Sequence, residues 1–391
     1  MKKLQIAQVA PPLERVPPMT YGGTERVVSV LTEELVRRGH DVTLFASGDS
    51  ITSARLVPVV EQALWRNEHA DQDFQPFFAV TLGKLASAID QFDLVHNHLD
   101  FLAYPLSRLS PCPVLTTLHG RLDLPGLDAL YREFADVSLV SISTAQRRPI
   151  PHANWLATVY HGIDLTEFRP RASAGGYLAY LGRISPEKGL DTAIRVAKRA
   201  GLPLKVGARP PLPYRNDPNV QVDRAYYEQV VEPLLDTADV EIVGELDRAG
   251  RDGLLGGATA LLFPITWPEP FGLVMPEALA CGTPVLALRA GSVPEVIEPG
   301  VTGFICADED ELVDAVRHLP EIDRLRCRRE AERRFSPAAM ADSYEQVYEQ
   351  LIRNGPRSAA TLSVPSRPAH ANGHQQPLLP TAPDVEMVCS E

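Results

Sequence analysis

Two glutamates stand eight residues apart in the stretch "PEPFGLVMPEALACGTPV", which runs from Pro268 to Val285. The apolar run "TALLFPI" before it is typical of a buried strand, so Glu269 lies in the loop at the carboxyl end of that strand. Two flanking prolines restrict the backbone on either side of Glu269. Glu269 is not at a helix cap position, and the sequence offers it no local ion-pair partner. Glu277 lies one turn into a helix, where an acidic residue can also serve simply to favour the positive end of the dipole.

The helix that carries Glu277 has a predictable start. Pro276 has no N–H and must lie in the first helical turn, which predicts an N-cap no earlier than about Leu273 and an end at Gly282. The N–H groups of Leu273, Val274 and Met275 then have no intrahelical partner. Free donors at a helix start beside a glycine predict a site for an anion.

Two cations, Arg183 and Lys188, occupy the loop between a strand and a helix that starts near Leu190. Cations ahead of a helix N-terminus interact unfavourably with its dipole. Each destabilises the structure by about 0.3–1 kcal/mol unless an anion lies between the cation and the helix. A diphosphate would reverse that sign, because charge-assisted hydrogen bonds contribute roughly 1.5–3 kcal/mol apiece. The pair predicts a phosphate clamp, with two solvated surface cations as the alternative.

The stretch "YGGTERVV", from Tyr21 to Val28, follows the first apolar run. Gly22 and Gly23 permit a close backbone approach, and Thr24 can cap the helix that follows. The stretch is not G-x-G-x-x-G, so the nicotinamide or flavin fingerprint is absent. A Gly-Gly pair by itself can also be an ordinary turn.

Three histidines end strands in the first half of the chain: His96 and His98 in "DLVHNHLD", and His119 in "TTLHG". Alternate residues on a strand share a face, so the first two can bind a metal together with His119 and Asp100. A single histidine at a strand end fits better as a hydrogen-bonding group for a polar substrate. We therefore predict no metal site and keep a metal-dependent hydrolase as an alternative.

These residues need a scaffold that brings the ends of strands together. Short apolar runs alternate with amphipathic helical stretches along most of the 391 residues, which is typical of βαβ units in a parallel sheet. A linker-like stretch, "RPRASAGG" at 169–176, interrupts this rhythm, which then restarts. We predict an α/β protein with two Rossmann-like, doubly wound parallel-sheet domains that face each other across a ligand-binding cleft.

The predicted domain boundaries follow from the same pattern. Residues 1–170 form the first domain and 175–335 the second. A helix at 336–353, with serine as N-cap and proline at its first position, is expected to pack back on the first domain. The segment 355–391 is rich in Pro, Ser and Ala without periodicity, which predicts a disordered tail.

Composition limits the partners. A formal net charge of −12 leaves no broad basic face, so nucleic acid is not an expected partner and docking on an anionic membrane by charge alone is disfavoured. No run approaches the roughly 18 apolar residues that span a bilayer, so any membrane contact would be peripheral. Five scattered cysteines without a C-x-x-C pair fit a reducing cytoplasm.

These motifs resemble the family 4 retaining glycosyltransferases, which have the GT-B fold of two facing Rossmann-like domains. The resemblance covers most of the chain up to about Gly355, and its most specific feature is the E-x7-E motif of Glu269 and Glu277. It implies a metal-independent hexosyltransferase without a cofactor. Such an enzyme moves a sugar from a nucleoside-diphosphate sugar, UDP-linked with GDP- and ADP-sugars as alternatives, to a hydroxyl acceptor.

The resemblance also implies roles for individual residues. Glu277 would bind the ribose hydroxyls, and Arg183 with Lys188 would clamp the diphosphate. Glu269 would face the hydroxyls of the transferred sugar, with His119 beside the reacting centre. The remaining implied contacts are those of the donor with Gly23, Leu246, Gly272, Leu273 and Val274, and those of the acceptor, on the first domain, with Gly22 and Glu25.

The resemblance implies retention by front-face attack, in which the departing phosphate oxygen takes the proton of the acceptor. A double displacement through Glu269 is the alternative mechanism. A nucleotide-sugar 2-epimerase with the same fold is the alternative activity.

Overall fold

The computed structural model describes residues 2–20, 22–66, 73–209 and 218–355. These residues form two parallel sheets with connecting helices, which confirms the predicted α/β class with two doubly wound domains. The predicted disordered tail lies outside the described residues, apart from Gly355. In the described ranges, no helix combines the length and the apolar character that crossing a membrane requires.

The first sheet has seven parallel strands in the order β3-β2-β1-β4-β5-β6-β7. Ile6 of the inner strand β1 stands opposite Val42 on one side and Leu94 on the other. Inner strands of a parallel sheet are covered on both faces, which is why they read as nearly continuous apolar runs. The strands are β1 (Gln5–Val9), β2 (Asp41–Ala46), β3 (Arg55–Pro58), β4 (Leu94–Asn97), β5 (Val114–Thr117), β6 (Ser138–Ser141) and β7 (Trp155–Thr158).

The second sheet has six parallel strands in the order β10-β9-β8-β11-β12-β13. Leu178 of its inner strand β8 stands opposite Leu204 and Ala260. The strands are β8 (Leu178–Leu181), β9 (Leu204–Gly207), β10 (Val240–Ile242), β11 (Ala260–Phe263), β12 (Val285–Leu288) and β13 (Gly303–Cys306).

Helices connect most of the strands and bury an apolar stripe. In the first helix Val27, Leu31 and Leu35 recur every four residues, and all three are buried. The helices are α1 (Gly23–Arg37), α2 (Gln75–Ala86), α3 (Tyr104–Leu109), α4 (Leu127–Glu133), α5 (Leu190–Ala200), α6 (Pro218–Tyr226), α7 (Glu232–Leu235), α8 (Arg248–Gly257), α9 (Val274–Ala280), α10 (Val293–Val296), α11 (Glu309–His318), α12 (Arg324–Phe335) and α13 (Pro337–Asn354).

The strand order reverses at one inner strand of each sheet. In the first sheet the chain runs outward in both directions from β1, and in the second from β8. Loops at such switch points diverge to opposite faces of the sheet and leave a crevice for ligands. The loop after β1 ends at Gly22, next to Gly23 at the start of α1, and the loop after β8 carries Arg183 and Lys188. Two of the predicted motifs therefore lie at the two switch points.

The last helix, α13, packs on the first domain. Ser336 is its N-cap, as predicted, and the Ser336 hydroxyl accepts the Ala339 N–H. The rings of Tyr344 and Tyr348 are fully buried in the core that also holds residues of β1 and α1. The chain thus returns from the second domain to cover the first.

Candidate functional site

The loop between β11 and α9 carries both predicted glutamates. The helix has Leu273 as its N-cap, which keeps Pro276 in the first turn as its missing N–H requires. Gly272 has a φ of 75°, and a Cβ there would lie 3.0 Å from Phe263 Cζ. A glycine therefore lets the loop turn tightly against the end of β11.

The structure corrects one detail of the predicted anion site. The Met275 N–H is not free, because it donates to the Gly272 carbonyl at 3.0 Å. A tight 3₁₀-type turn at the helix start accounts for this, since it closes one residue earlier than an α-helical turn. The N–H groups of Leu273 and Val274 are left as the candidate anion donors.

Glu269 lies in a compact cluster with a cation and an aromatic ring. Its side chain is buried, and Oε2 accepts hydrogen bonds from Lys188 Nζ and from Trp267 Nε1, the latter at 3.0 Å. Lys188 Nζ also lies 4.8 Å from the centroid of the Trp267 ring, within range of a cation–π interaction. Arg121 lies in the loop after β5, and its Cζ atom is 5.6 Å from the centroid of the same ring. The Glu269 loop and the Lys188 loop thus meet, and both face the first domain.

Glu277 makes a buried ionic contact with both domains. Its Oε1 accepts from Arg26 Nη1 of α1 and from Arg251 Nη1 of α8, each at 2.8 Å. Glu277 is 2% exposed, so these bonds form where water screens little. No hydrogen bond within the described ranges uses Oε2 of Glu277. One carboxylate oxygen is clamped by arginines, and the other can bind a ligand.

Arg183 is placed differently from Lys188. It is about half exposed and pairs with Glu187 of its own loop and, at 3.3 Å, with Asp223 of α6. The structure therefore brings Lys188 to Glu269, while Arg183 is held by other carboxylates. The proposed clamp needs a shift of the Arg183 side chain from these carboxylates toward a phosphate.

The glycine turn of the first domain abuts the start of α9. A Cβ at Gly23 would lie 3.6 Å from Leu273 Cδ1, so the two loops are in contact range across the domains. Gly22 has a φ of 140°, and a Cβ there would lie 3.1 Å from Glu25 Oε2. Glu25 is buried, and this burial raises the pKa of its carboxyl group to about 7, with Glu14 adding to the effect.

His119 lies at the end of a stack of rings that reaches the glutamate loop. Its ring stacks on His161 with centroids 5.2 Å apart, and His161 in turn lies 4.9 Å from Phe271. Phe271 immediately precedes Gly272, so the stack links β5 to the loop before α9. Burial lowers the pKa of His119 to about 3, so the ring is neutral near pH 7.

The metal alternative is not supported by the side-chain geometry. His96 and His98 do share a face, with ring centroids 4.1 Å apart. Both ring nitrogens of His96 are already used, by the Tyr348 hydroxyl and the Thr117 hydroxyl, each at 2.7 Å. Among the described residues, no group of three or more His, Cys, Asp or Glu side chains is arranged to hold a metal ion.

Leu246 lies in the loop between β10 and α8. Its side chain packs on two glycines, since a Cβ at either Gly207 or Gly250 would lie 3.0 Å from a methyl group of Leu246. The side chain therefore anchors the loop on the end of the second sheet. The contact of its backbone with a base stays a prediction.

Sequence reasoning missed several residues that the structure places at this site. Arg26 and Arg251 stand on helices, where an arginine by itself gives no signal because most are solvated. Trp267 could have been found as the aromatic residue two positions before a rigid carboxylate. His161 could have been found as a fourth histidine after a strand, in "VYHGID".

Comparison with known proteins gives matches along most of the chain. The family model for glycosyl transferases group 1 matches residues 167–339, and the model for glycosyltransferase family 4 matches residues 21–167. The D-inositol 3-phosphate glycosyltransferase of Mycolicibacterium paratuberculosis is 30% identical over 351 residues, which cover 76% of this chain and 77% of that protein. The glycogen synthase of Mycobacterium tuberculosis is 28% identical over 395 residues, covering 85% and 92%.

A solved structure shows the same fold. The HepE protein of Anabaena, crystallised in complex with UDP-glucose, matches with a TM-score of 0.65 at 17% identity. The match covers 89% of this chain and all of that one. The fold is therefore that of the glycosyltransferase structures with two facing Rossmann-like domains.

Proposed function

The chain belongs to glycosyltransferase family 4, and from that premise we propose that it transfers a hexose from a UDP-sugar to a hydroxyl acceptor, with retention and without a metal. Family membership makes it a glycosyltransferase that uses a nucleotide sugar. The nucleotide, the stereochemistry and the residues of the site belong to the proposal.

One observation carries this proposal: the two glutamates lie on either side of a helix start and already have distinct environments. Glu269 contacts Lys188, a cation suited to a phosphate, whereas Glu277 uses Oε1 for two arginines and has no partner at Oε2 among the described residues. A nucleotide sugar has hydroxyls at both ends and a diphosphate between them. Paired carboxylates around a patch of positive charge and free N–H groups fit that pattern. We propose that they act as an E-x7-E motif.

The donor contacts follow from this arrangement. Oε2 of Glu277 would accept hydrogen bonds from the ribose hydroxyls, and Arg183 and Lys188 would bind the diphosphate. The N–H groups of Leu273 and Val274 add donors to the same phosphates.

The loops complete the cradle. Gly23 and Gly272 allow the backbone to approach the donor closely, and the backbone beside Leu246 would contact the base. On the first domain, Gly22 and Glu25 would contact the acceptor. Glu25, in the first turn of α1, has its carboxylate close to Gly22, which supports a shared role for the two residues.

Catalysis would depend on stabilising the leaving diphosphate. Cleavage of the anomeric C–O bond leaves negative charge on the phosphate and positive charge on the sugar ring. Lys188 bonds Glu269, so the donor phosphate would compete with that carboxylate for the ammonium group. Glu269 would then bind a sugar hydroxyl, with His119 beside the same sugar. Front-face attack, with the phosphate oxygen taking the acceptor proton, gives retention.

Titration calorimetry with UDP, GDP and ADP tests the proposal directly. We expect the tightest binding for UDP, without added divalent metal and with no loss in a chelator. Binding of none of the three nucleotides would end the proposed donor site. NMR of the product anomer, once an acceptor is found, tests retention, and conversion of the free donor to an epimer would indicate the 2-epimerase instead.

The proposed roles predict different kinetic effects for three variants. Lys188→Ala and Glu277→Ala should weaken UDP binding by at least about tenfold, because each loses a charge-assisted contact. Glu269→Ala should lower kcat by about 100-fold, because its partner is the transferred sugar, but it should not weaken UDP binding, because Lys188 loses a carboxylate that competes with the phosphate. Donor hydrolysis and calorimetry measure the two effects.

A matched control exists in the same domain. Lys205 pairs with Glu241 at 2.8 Å and lies 5.1 Å from the ring centroid of Tyr177, which repeats the cluster around Lys188 away from the cleft. Lys205→Ala should leave UDP binding and turnover unchanged. Equal losses in the Lys205 and Lys188 variants would count against a site-specific role for Lys188.

A further inference from the structure

A chain of hydrogen bonds runs from β1 to the end of β5 through two imidazole rings. Oε1 of Gln8 lies 2.8 Å from Nε2 of His98, and Nδ1 of His98 lies 2.9 Å from Nε2 of His119. Gln8 and His98 are almost completely buried, so water has little access to these bonds. The proposed function uses only the last ring of this chain, that of His119.

Both rings are neutral in the folded protein. Burial holds the pKa of His98 well below its usual value and lowers that of His119 to about 3. A neutral imidazole has one N–H group and one nitrogen with a free lone pair. Fixing the proton on one nitrogen therefore decides what the other nitrogen can do.

The direction of the chain is set by the amide of Gln8. Its amide nitrogen lies 3.4 Å from the Tyr348 hydroxyl, and its carbonyl oxygen faces His98. A carbonyl oxygen can only accept, so His98 must carry its proton on Nε2. The lone pair of His98 Nδ1 then accepts from His119, which places the proton of His119 on Nε2 as well.

The far nitrogen of His119 is left with an unused lone pair. His119 Nδ1 is buried and has no hydrogen-bond partner in the part of the chain that the structure describes. A buried acceptor without a donor is unfavourable, and a hydroxyl from a ligand can supply the missing bond. The stack through His161 to Phe271 places this ring beside the loop of the candidate site.

We propose that Gln8 and His98 are positioning residues, which hold His119 in the tautomer whose Nδ1 accepts a hydrogen bond from a hydroxyl of the transferred sugar. This inference rests on the proposed function, which places that sugar beside His119. Gln8 would determine whether the site offers the sugar an acceptor or a donor, although it does not contact the sugar. The opposite tautomer would present an N–H group to the same hydroxyl.

NMR of protein labelled with ¹⁵N in its histidine rings tests the tautomer without any substrate. The chemical shifts of the two ring nitrogens distinguish protonated from unprotonated nitrogen. We expect His119 to be protonated at Nε2 and His98 likewise. A proton on Nδ1 of His119 would overturn the inference, and this result is independent of whether UDP binds in the calorimetry.

Two substitutions of Gln8 test its part. Gln8→Met keeps the size but removes the acceptor, so His119 should become a mixture of tautomers and kcat should fall by about tenfold, with donor KM changed less than about twofold. Gln8→Glu keeps an acceptor toward His98, so it should retain the tautomer and most of the turnover. If Gln8→Met fails to fold, the wild-type and Gln8→Glu spectra still decide the question.

Thr117→Val is the matched control, because it removes a hydrogen bond from His96 in the same cluster but none from His98 or His119. It should leave the His119 tautomer unchanged. An unchanged tautomer in Gln8→Met would remove Gln8 from the role proposed for it. A tautomer shift in Thr117→Val equal to that in Gln8→Met would show that the His119 proton responds to general packing.

Discussion

At the scale of single residues, the site pairs each charge with a partner. Glu277 bonds two arginines, Glu269 bonds Lys188, and Arg183 bonds two carboxylates. Buried charges need such partners, because leaving one unpaired costs several kcal/mol. The diphosphate of a donor would therefore bind by exchanging partners with protein carboxylates, and its affinity would reflect the difference between the two sets of ion pairs.

Glu25 is the residue whose titration should appear in the stability of the protein. Its pKa rises from 4.5 to about 7 on folding, mainly by desolvation, with Glu14 raising it further and Arg26 opposing. The folded state thus holds a proton that the unfolded state has released. The contribution of Glu25 to the free energy of unfolding is fully present below about pH 4.5. It is lost as the pH rises through about 7, and the loss amounts to up to about 3 kcal/mol.

Glu25→Gln removes this titration. We expect the variant to gain stability relative to wild type between pH 5 and pH 8 in denaturant unfolding measured at several pH values. Glu349→Gln, on the exposed face of α13, is the control and should follow the wild-type curve. Parallel curves for Glu25→Gln and wild type would contradict the raised pKa.

At the scale of elements, loops hold one another in place. The loop between β12 and α10 supports the loop that carries Glu269: the Ser292 N–H donates to the Glu269 carbonyl at 3.0 Å, and its hydroxyl donates to the Phe271 carbonyl at 2.8 Å. Gly291 has a φ of 48°, and a Cβ there would lie 2.3 Å from the backbone of Glu269. The position of Glu269 thus depends on a glycine 22 residues later in the chain.

Gly291→Ala should therefore displace the Glu269 loop. We expect a loss of kcat of at least about tenfold in donor hydrolysis, since small misplacements of catalytic groups are costly. Gly300→Ala is the matched control: Gly300 also has a positive φ, of 74°, but a Cβ there would have no atom within 4 Å. It carries the same kind of backbone strain without the clash. Similar turnover in both variants would contradict the proposal that Gly291 supports the Glu269 loop.

For the whole molecule, the carboxylate of Glu295 makes several contacts between the two domains. Glu295 of α10 accepts the backbone N–H groups of Thr144 and Ala145, each at 2.7 Å, and the hydroxyl of Tyr160 at 3.1 Å. Together with the contact of Arg26 with Glu277, it holds the first domain against the second. The cleft geometry depends on such contacts because the two sheets are separate.

Glu295→Ala should loosen this contact. We expect the free energy of unfolding to fall by about 2–3 kcal/mol, because three charge-assisted hydrogen bonds to the Glu295 carboxylate are lost. Calorimetry should show a broader or split transition. Glu298→Ala, an exposed position in the following turn, is the control. An unchanged single transition in the Glu295 variant would show that other contacts hold the domains together.

Features that depend on residues close together in the chain could be predicted from the sequence. The alternation of apolar runs and helical stretches indicated two parallel-sheet domains, because strand and helix periodicity are local. Pro276 and Gly282 indicated the limits of α9, because a missing N–H and a positive φ act within one turn. Strand ends pointed to Glu269, Lys188 and His119, because parallel strands share one edge.

Contacts between distant side chains could be identified only in the folded protein. Arg26 and Glu277 are 251 positions apart, and Gln8 and His98 are 90 apart, so no local pattern records either contact. The pairing of Lys188 with Glu269 and the clamped oxygen of Glu277 arise from such pairs, and so does the proton position that we propose for His119. Hydrogen bonds and ion pairs form over a few ångströms in space, and packing brings distant parts of the chain within that distance.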